Sequence, residues 1–111
     1  MLCELDQQGE VGIVTFSGRL DASNAAQLKT SFNQYLKEAL KFVFNLEKLE
    51  AIDSTGLGAI VACLKYASEA GGEIKIALLP PKPRMIFEIT RAYRIFDIYD
   101  DLNTAIESYQ Q

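Results

Sequence analysis

The side chains best suited to carry out chemistry lie in one short segment, Asp53-Ser54-Thr55-Gly56-Leu57-Gly58. An acid precedes two hydroxyl side chains, and glycines alternate with a leucine after them. A hydroxyl can act as a catalytic nucleophile or accept a phosphate from a kinase. The chain contains no histidine, so the imidazole base of Ser-His-Asp and Cys-His catalysis is absent. The segment therefore favours a modified hydroxyl over a catalytic one.

The same segment has the pattern of a strand-to-helix junction. The first N–H groups of a helix lack intrahelical partners and carry partial positive charge, so Asp, Ser or Thr can cap them. Asp53 could therefore cap the helix or orient the Ser54 hydroxyl. A good N-cap cluster alone would explain these residues, but glycine weakens a helix by about 1 kcal/mol relative to alanine. Gly56 and Gly58 thus favour a surface at which another molecule or an anion approaches the backbone.

Composition removes most other classes of chemistry. Two isolated cysteines, Cys3 and Cys63, cannot form a four-thiolate zinc site and are predicted to be structural. Neither the GxxxxGK[ST] nor the GxGxxG pattern of nucleotide-binding loops is present. We therefore expect no enzyme activity, no metal and no cofactor.

Charge and hydropathy bear on the cellular setting. The formal net charge is −4, which disfavours nucleic-acid binding. The closest basic grouping, Lys82, Arg84, Arg91 and Arg94, alternates with apolar residues and is predicted to be a solvated helix face. No apolar run is long enough to span a membrane, and the first ten residues carry acids where a secretion signal needs bases. The chain is predicted to be cytoplasmic.

The elements that must position the segment follow from hydrophobic periodicity, which predicts alternating strands and helices. The predicted strands are residues 2–6, 11–17, 41–46, 73–79 and 95–98. The predicted helices are residues 23–39, a second from Leu57 to the Gly71-Gly72 pair, a third opening near Pro83, and residues 102–109. We expect one α/β domain over residues 1–111, a small mixed β-sheet covered by a single layer of amphipathic helices.

Two motifs in this order resemble those of the STAS domain family, and most closely its anti-sigma factor antagonists. The first is Asp53-Ser54-Thr55-Gly56-Leu57-Gly58 after a strand carrying Asn45, similar to the family pattern in which D-S-[STA]-G-L-G opens a helix. The second is Gly18-Arg19-Leu20-Asp21, similar to the family's G-x-[LIV]-D. The resemblance extends over essentially the whole chain and implies the STAS fold. Without the family, Asp21 could equally cap the first helix in competition with Ser23 or Asn24, and Asn45 is predicted to hydrogen-bond a turn.

The resemblance implies a phosphorylation-controlled binding protein. Ser54 stands where the family is phosphorylated, and Thr55 is the weaker candidate. The implied partner is an anti-sigma factor with serine kinase activity, which supplies ATP and magnesium, and a serine phosphatase would reset the switch. The implied partner-binding surface comprises Asp21, Asn24, Asp53, Ser54, Thr55, Gly56, Leu57 and Gly58. The alternative is a STAS adaptor that is not phosphorylated, within a membrane lipid transporter or a stress-signalling scaffold.

Overall fold

Strands and helices alternate along the chain in a computed structural model that describes residues 2–110. The predicted domain ends, Met1 and Gln111, lie outside the described residues. The strands are β1 (Cys3–Gln8), β2 (Val11–Leu20), β3 (Lys41–Ile52), β4 (Glu73–Ala77) and β5 (Ile98–Tyr99). The helices are α1 (Ala25–Tyr35), α2 (Ser54–Glu69), α3 (Pro81–Ile89) and α4 (Leu102–Glu107), with short 3-10 turns at Ala92–Arg94 and Ser108–Gln110.

The five strands form one mixed sheet in the order β1-β2-β3-β4-β5. β1 and β2 form an antiparallel hairpin across Gly9, whose φ of 62° suits glycine. The other neighbours are parallel, because α1, α2 and α3 each return the chain to the same end of the sheet. These features confirm the predicted α/β class and mixed sheet.

Alternate residues of the central strand enter two separate cores. Phe42 and Phe44 belong to the larger core beneath α1, α2 and α3. Val43 belongs to a smaller core on the opposite face, closed by Ala105 and Ile106 of α4. Successive strand side chains point to opposite faces, so a strand that is apolar at every position is covered on both sides. The expected single layer of helices was therefore wrong with respect to α4.

Both cysteines lie in the larger core, as predicted. They are free thiols, and burial raises the pKa of Cys63 to about 12. A thiol in that state is a small hydrophobe at neutral pH and not a nucleophile.

Element ends differ from prediction where tertiary contacts decide them. α1 begins at Ala25 and ends at Tyr35 instead of running to residue 39. Leu40, just beyond the predicted end of this helix, is 45% exposed, and its carbonyl accepts the Glu73 N–H at 2.8 Å. This bond sets the start of β4 beside β3. The last strand, predicted over residues 95–98, starts only at Ile98, and Ile95 is the C-cap of the 3-10 turn before it.

β3 is the largest difference, because it runs to Ile52 and was predicted to end at Leu46. Its second half pairs with the end of β2, which itself continues past its predicted end to Leu20. The pairing contains two register shifts, at each of which β3 holds one extra residue, and the first follows Asn45. At this bulge the Asn45 carboxamide oxygen accepts the Glu47 N–H at 3.1 Å, which agrees with its predicted local role. The extension carries the chain to the site described below. No helix within residues 2–110 has both the length and the apolar character needed to cross a membrane.

Candidate functional site

The two sequence motifs meet at the carboxyl ends of β2 and β3. These strands are parallel, and their last residues, Leu20 and Ile52, are paired in the sheet. Asp21 and Asp53 follow them directly, and the Asp53 N–H donates to the Leu20 carbonyl at 3.3 Å. Because parallel strands end at a common edge, two motifs about thirty residues apart in sequence form one surface.

Asp53 caps α2, which settles the choice between capping the helix and orienting a hydroxyl. Its backbone is extended, and its Oδ1 accepts the Gly56 N–H at 2.7 Å. Its carbonyl accepts the Leu57 N–H at 2.9 Å, so the helix begins at Ser54, earlier than predicted. Ser54 and Thr55 are exposed in the first turn. A kinase could therefore reach either hydroxyl.

The two glycines of the segment do different things. A Cβ on Gly56 would lie 2.3 Å from the Leu20 carbonyl oxygen, so this residue allows α2 to pack directly on the end of β2. A Cβ on Gly58 would meet nothing within 4 Å, and Gly58 is exposed. The expectation that both glycines leave room for another molecule therefore fits Gly58 alone.

Leu57 also faces inward. Its side chain is 5% exposed and belongs to the core beneath α1, α2 and α3. Gly56 and Leu57 therefore hold the site in place through packing and are not part of its exposed surface. The residues left to contact another molecule are Asp21, Asn24, Asp53, Ser54, Thr55 and Gly58.

The Asp21 loop is a closed hydrogen-bonded turn, and the Asp21 side chain does not cap α1. Its Oδ1 accepts both the N–H and the hydroxyl of Ser23, at 3.0 and 2.6 Å. These bonds hold the pKa of Asp21 below its ordinary value, so the carboxylate is charged at neutral pH. Asn24 occupies the N-cap position, but its side chain bonds the Asp21 N–H and the Arg19 carbonyl.

A small cleft of about 120 Å³ joins the two motifs. It is lined by Arg19, Leu20, Asp21, Ala51, Ile52 and Asp53. The Arg19 Nε lies 3.8 Å from the Asp21 Oδ2. The sequence predicted no role for Arg19 beyond its place in the Gly18-Arg19-Leu20-Asp21 motif. Within residues 2–110 no group of three or more His, Cys, Asp or Glu side chains is placed to hold a metal ion. The site is thus an exposed hydroxyl among charged side chains, suited to recognition and modification.

The sequence profile of the STAS domain family matches residues 3–105. The chain belongs to the STAS domain family. This STAS domain is 26% identical over 100 residues to the anti-sigma F factor antagonist of Paenibacillus polymyxa, covering 88% of this chain and 86% of that one.

Solved structures agree with this assignment. The crystal structure of a candidate anti-sigma factor antagonist from Thermotoga maritima matches this STAS domain with a TM-score of 0.89 at 29% identity, over 98% of this chain and 95% of that one. The Bacillus cell fate determinant SpoIIAA in its phosphorylated form matches with a TM-score of 0.74 at 17% identity, over 96% of this chain and 98% of that one. The predicted fold is thereby confirmed.

Removing the cap of α2 should destabilise this STAS domain measurably. Asp53→Ala leaves the Gly56 N–H without its partner and should lower the free energy of unfolding by about 1 kcal/mol. Asp101→Ala is a matched control, because Asp101 Oδ1 caps α4 through the Thr104 N–H at the same distance of 2.7 Å. Urea denaturation compares them. If only Asp101→Ala lost stability, the α2 cap would not exist in solution.

Proposed function

We propose that this STAS domain, residues 1–111 taken as one domain, is an anti-sigma factor antagonist controlled by phosphorylation of Ser54. Its curated relatives are named as antagonists, which are regulatory binding proteins and not enzymes. The observation that carries the proposal is the exposed Ser54 hydroxyl in the first turn of α2, on a surface that two motifs build together. We further propose a cytoplasmic location, where sigma factors act.

The unphosphorylated surface would bind an anti-sigma factor that is also a serine kinase. Asp21, Asn24, Asp53, Thr55 and Gly58 would lie around Ser54 in that interface. The absence of a side chain at Gly58 supports close approach, since nothing lies within 4 Å of the Cβ position. The partner would bind ATP and magnesium and transfer the terminal phosphoryl group to the Ser54 hydroxyl, releasing ADP. A serine phosphatase would reverse the modification.

Phosphorylation would end binding through charge. A phosphate adds about −1.5 to −2 charges at neutral pH, next in sequence to Asp53, whose cleft also contains Asp21. In a closed interface this charge would have to lose its hydrating water, which is costly unless a cation of the interface is free to pair with it; the cation at this surface, Arg19, already pairs with Asp21. The fold would change little because Ser54 projects into solvent. The matching SpoIIAA structure is that of a phosphorylated form, which supports the compatibility of this fold with a phosphate.

The proposal is tested by capture with four immobilised proteins: wild type, Ser54→Ala, Ser54→Asp and Thr55→Asp. Wild type and Ser54→Ala should retain an ATP-binding serine kinase from the source organism, and Ser54→Asp should lose it. Thr55→Asp is a matched control one residue away, and it should reduce retention less. If all four retain the same transporter or scaffold components, the adaptor function replaces the switch.

A further inference from the structure

Most of the large exposed apolar side chains described in this protein belong to one short stretch of the chain, which contains α3 and the 3-10 turn after it. Within residues 2–110, five large apolar residues are exposed, and four of them fall between residues 85 and 95. They are Met85 at 62%, Ile89 at 74%, Tyr93 at 45% and Ile95 at 51%. Together with the basic residues of the same stretch, Lys82, Arg84, Arg91 and Arg94, we name them the α3 outer face. Isolated exposed apolar residues are ordinary, but a cluster of this kind marks an interaction surface.

The exposure of Met85 and Ile89 follows from the way α3 packs on the rest of the fold. Met85 and Ile89 are one turn apart, so they share one side of α3. Pro83 and Phe87 are also four residues apart and are buried on the opposite side. Phe87 contacts Phe96 at a ring-centroid distance of 6.1 Å, which fixes the following 3-10 turn against the helix. Met85 and Ile89 therefore cannot turn inward without losing the contacts that hold α3 on the sheet.

Basic residues outnumber acidic ones in the stretch that carries these apolar residues. Lys82, Arg84, Arg91 and Arg94 lie in the same stretch with a single acid, Glu88, in a chain of net charge −4. Lys82, Arg91 and Arg94 take part in none of the ion pairs found within residues 2–110. Such a surface complements a ligand that is both apolar and acidic.

We propose that the α3 outer face docks an acidic amphipathic segment of a protein partner, at a surface separate from the one around Ser54. Arg, Met and Tyr are the residue types that are enriched in protein–protein interfaces, and three of the four basic residues are arginines. The guanidinium group binds carboxylates through two parallel hydrogen bonds. Leucines or similar residues of the segment would cover Met85 and Ile89, and its acids would pair with the arginines.

Two other occupants fit less well. An anionic membrane would attract the basic residues, but the rest of the chain is strongly acidic and would be repelled. Symmetric pairing with a second copy would place the basic residues against themselves, because both copies present the same patch in a two-fold interface. Both occupants are separate outcomes of the experiment below.

The test is photo-crosslinking in cells of the source organism, with p-benzoylphenylalanine replacing the exposed Ile89. The control carries the same residue at Gln27, an exposed position on α1. We expect an Ile89-dependent crosslink to a protein, and mass spectrometry should place it in a peptide with net negative charge and apolar residues at helical spacing. Lys82→Glu with Arg94→Glu should reduce that crosslink about tenfold, because two attractive contacts become repulsive. Both positions are exposed, so the melting temperature should stay unchanged.

Every other outcome overturns the proposal. Products with lipid alone indicate a membrane surface, and products with this chain itself indicate self-association. A crosslinked peptide that is neutral or basic contradicts the predicted complementarity. A yield no higher than at Gln27 means that the face is solvated, as its sequence pattern first suggested.

Discussion

Gly56→Ala should destabilise the protein by about 3 kcal/mol, close to the upper end of the cost of overpacking. The added Cβ would lie 2.3 Å from the Leu20 carbonyl oxygen and 2.9 Å from the Leu20 carbonyl carbon. Both are backbone atoms, so no rotamer change relieves the contact. The start of α2 must move away from the end of β2, which separates the two halves of the site. Urea denaturation measures the loss.

Gly58→Ala is the matched control, two residues further along the same helix. Its Cβ would meet nothing within 4 Å. Alanine is favoured over glycine in a helix by about 1 kcal/mol, so this variant should be as stable as wild type or more so. Equal effects of the two substitutions would contradict the assigned division between a packing glycine and a surface glycine.

Phe44→Ala should cost about 4 kcal/mol, in the range for removing a buried aromatic ring. Phe44 is fully buried on β3, and its ring lies 5.0 Å from Phe16 and 5.6 Å from Phe32. It joins two strands and α1 at one point of the core. The cavity left by the ring would be lined by side chains that the backbone holds in place.

Tyr93→Ala controls for loss of an aromatic ring as such, because Tyr93 is 45% exposed. It should change the free energy of unfolding by less than about 0.5 kcal/mol. Thermal or urea unfolding of both variants provides the comparison. A loss under about 2 kcal/mol for Phe44→Ala would mean that the core refills the space, against the packing described above.

Local chemistry in the sequence was enough to predict a helix near the site and Asp53 as one of its candidate caps, although the predicted start at Leu57 was three residues too late. Asp53 has the residue type, the position and the following hydroxyls of an N-cap, and it caps α2. The strand-helix alternation likewise predicted the α/β class. The helix cap and the order of strands and helices are both set by residues close together in sequence. Residue type and hydrophobic periodicity are therefore enough to predict them.

Features set by distant contacts could not be predicted. The packing of Gly56 depends on Leu20, and nothing near Gly56 in sequence reveals that contact. The second half of β3 contains Glu47, Lys48 and Glu50, so it lacks the apolar pattern that predicts a strand. It is a strand because it pairs with β2. α4 covers the second face of the sheet together with the 3-10 turn that follows it, in which the Tyr109 hydroxyl donates to the Phe42 carbonyl at 2.7 Å across 67 residues of sequence.

The most direct test of the central claim is phosphosite mapping after incubation with the captured serine kinase and Mg-ATP. Intact mass should show one added phosphate on wild type, and fragmentation should place it on Ser54. Thr55→Ala should be modified like wild type, and Ser54→Ala should remain unmodified. The phosphorylated protein should then no longer bind the kinase. Absence of phosphate, or a phosphate placed away from Ser54, would contradict the assignment of this residue as the switch.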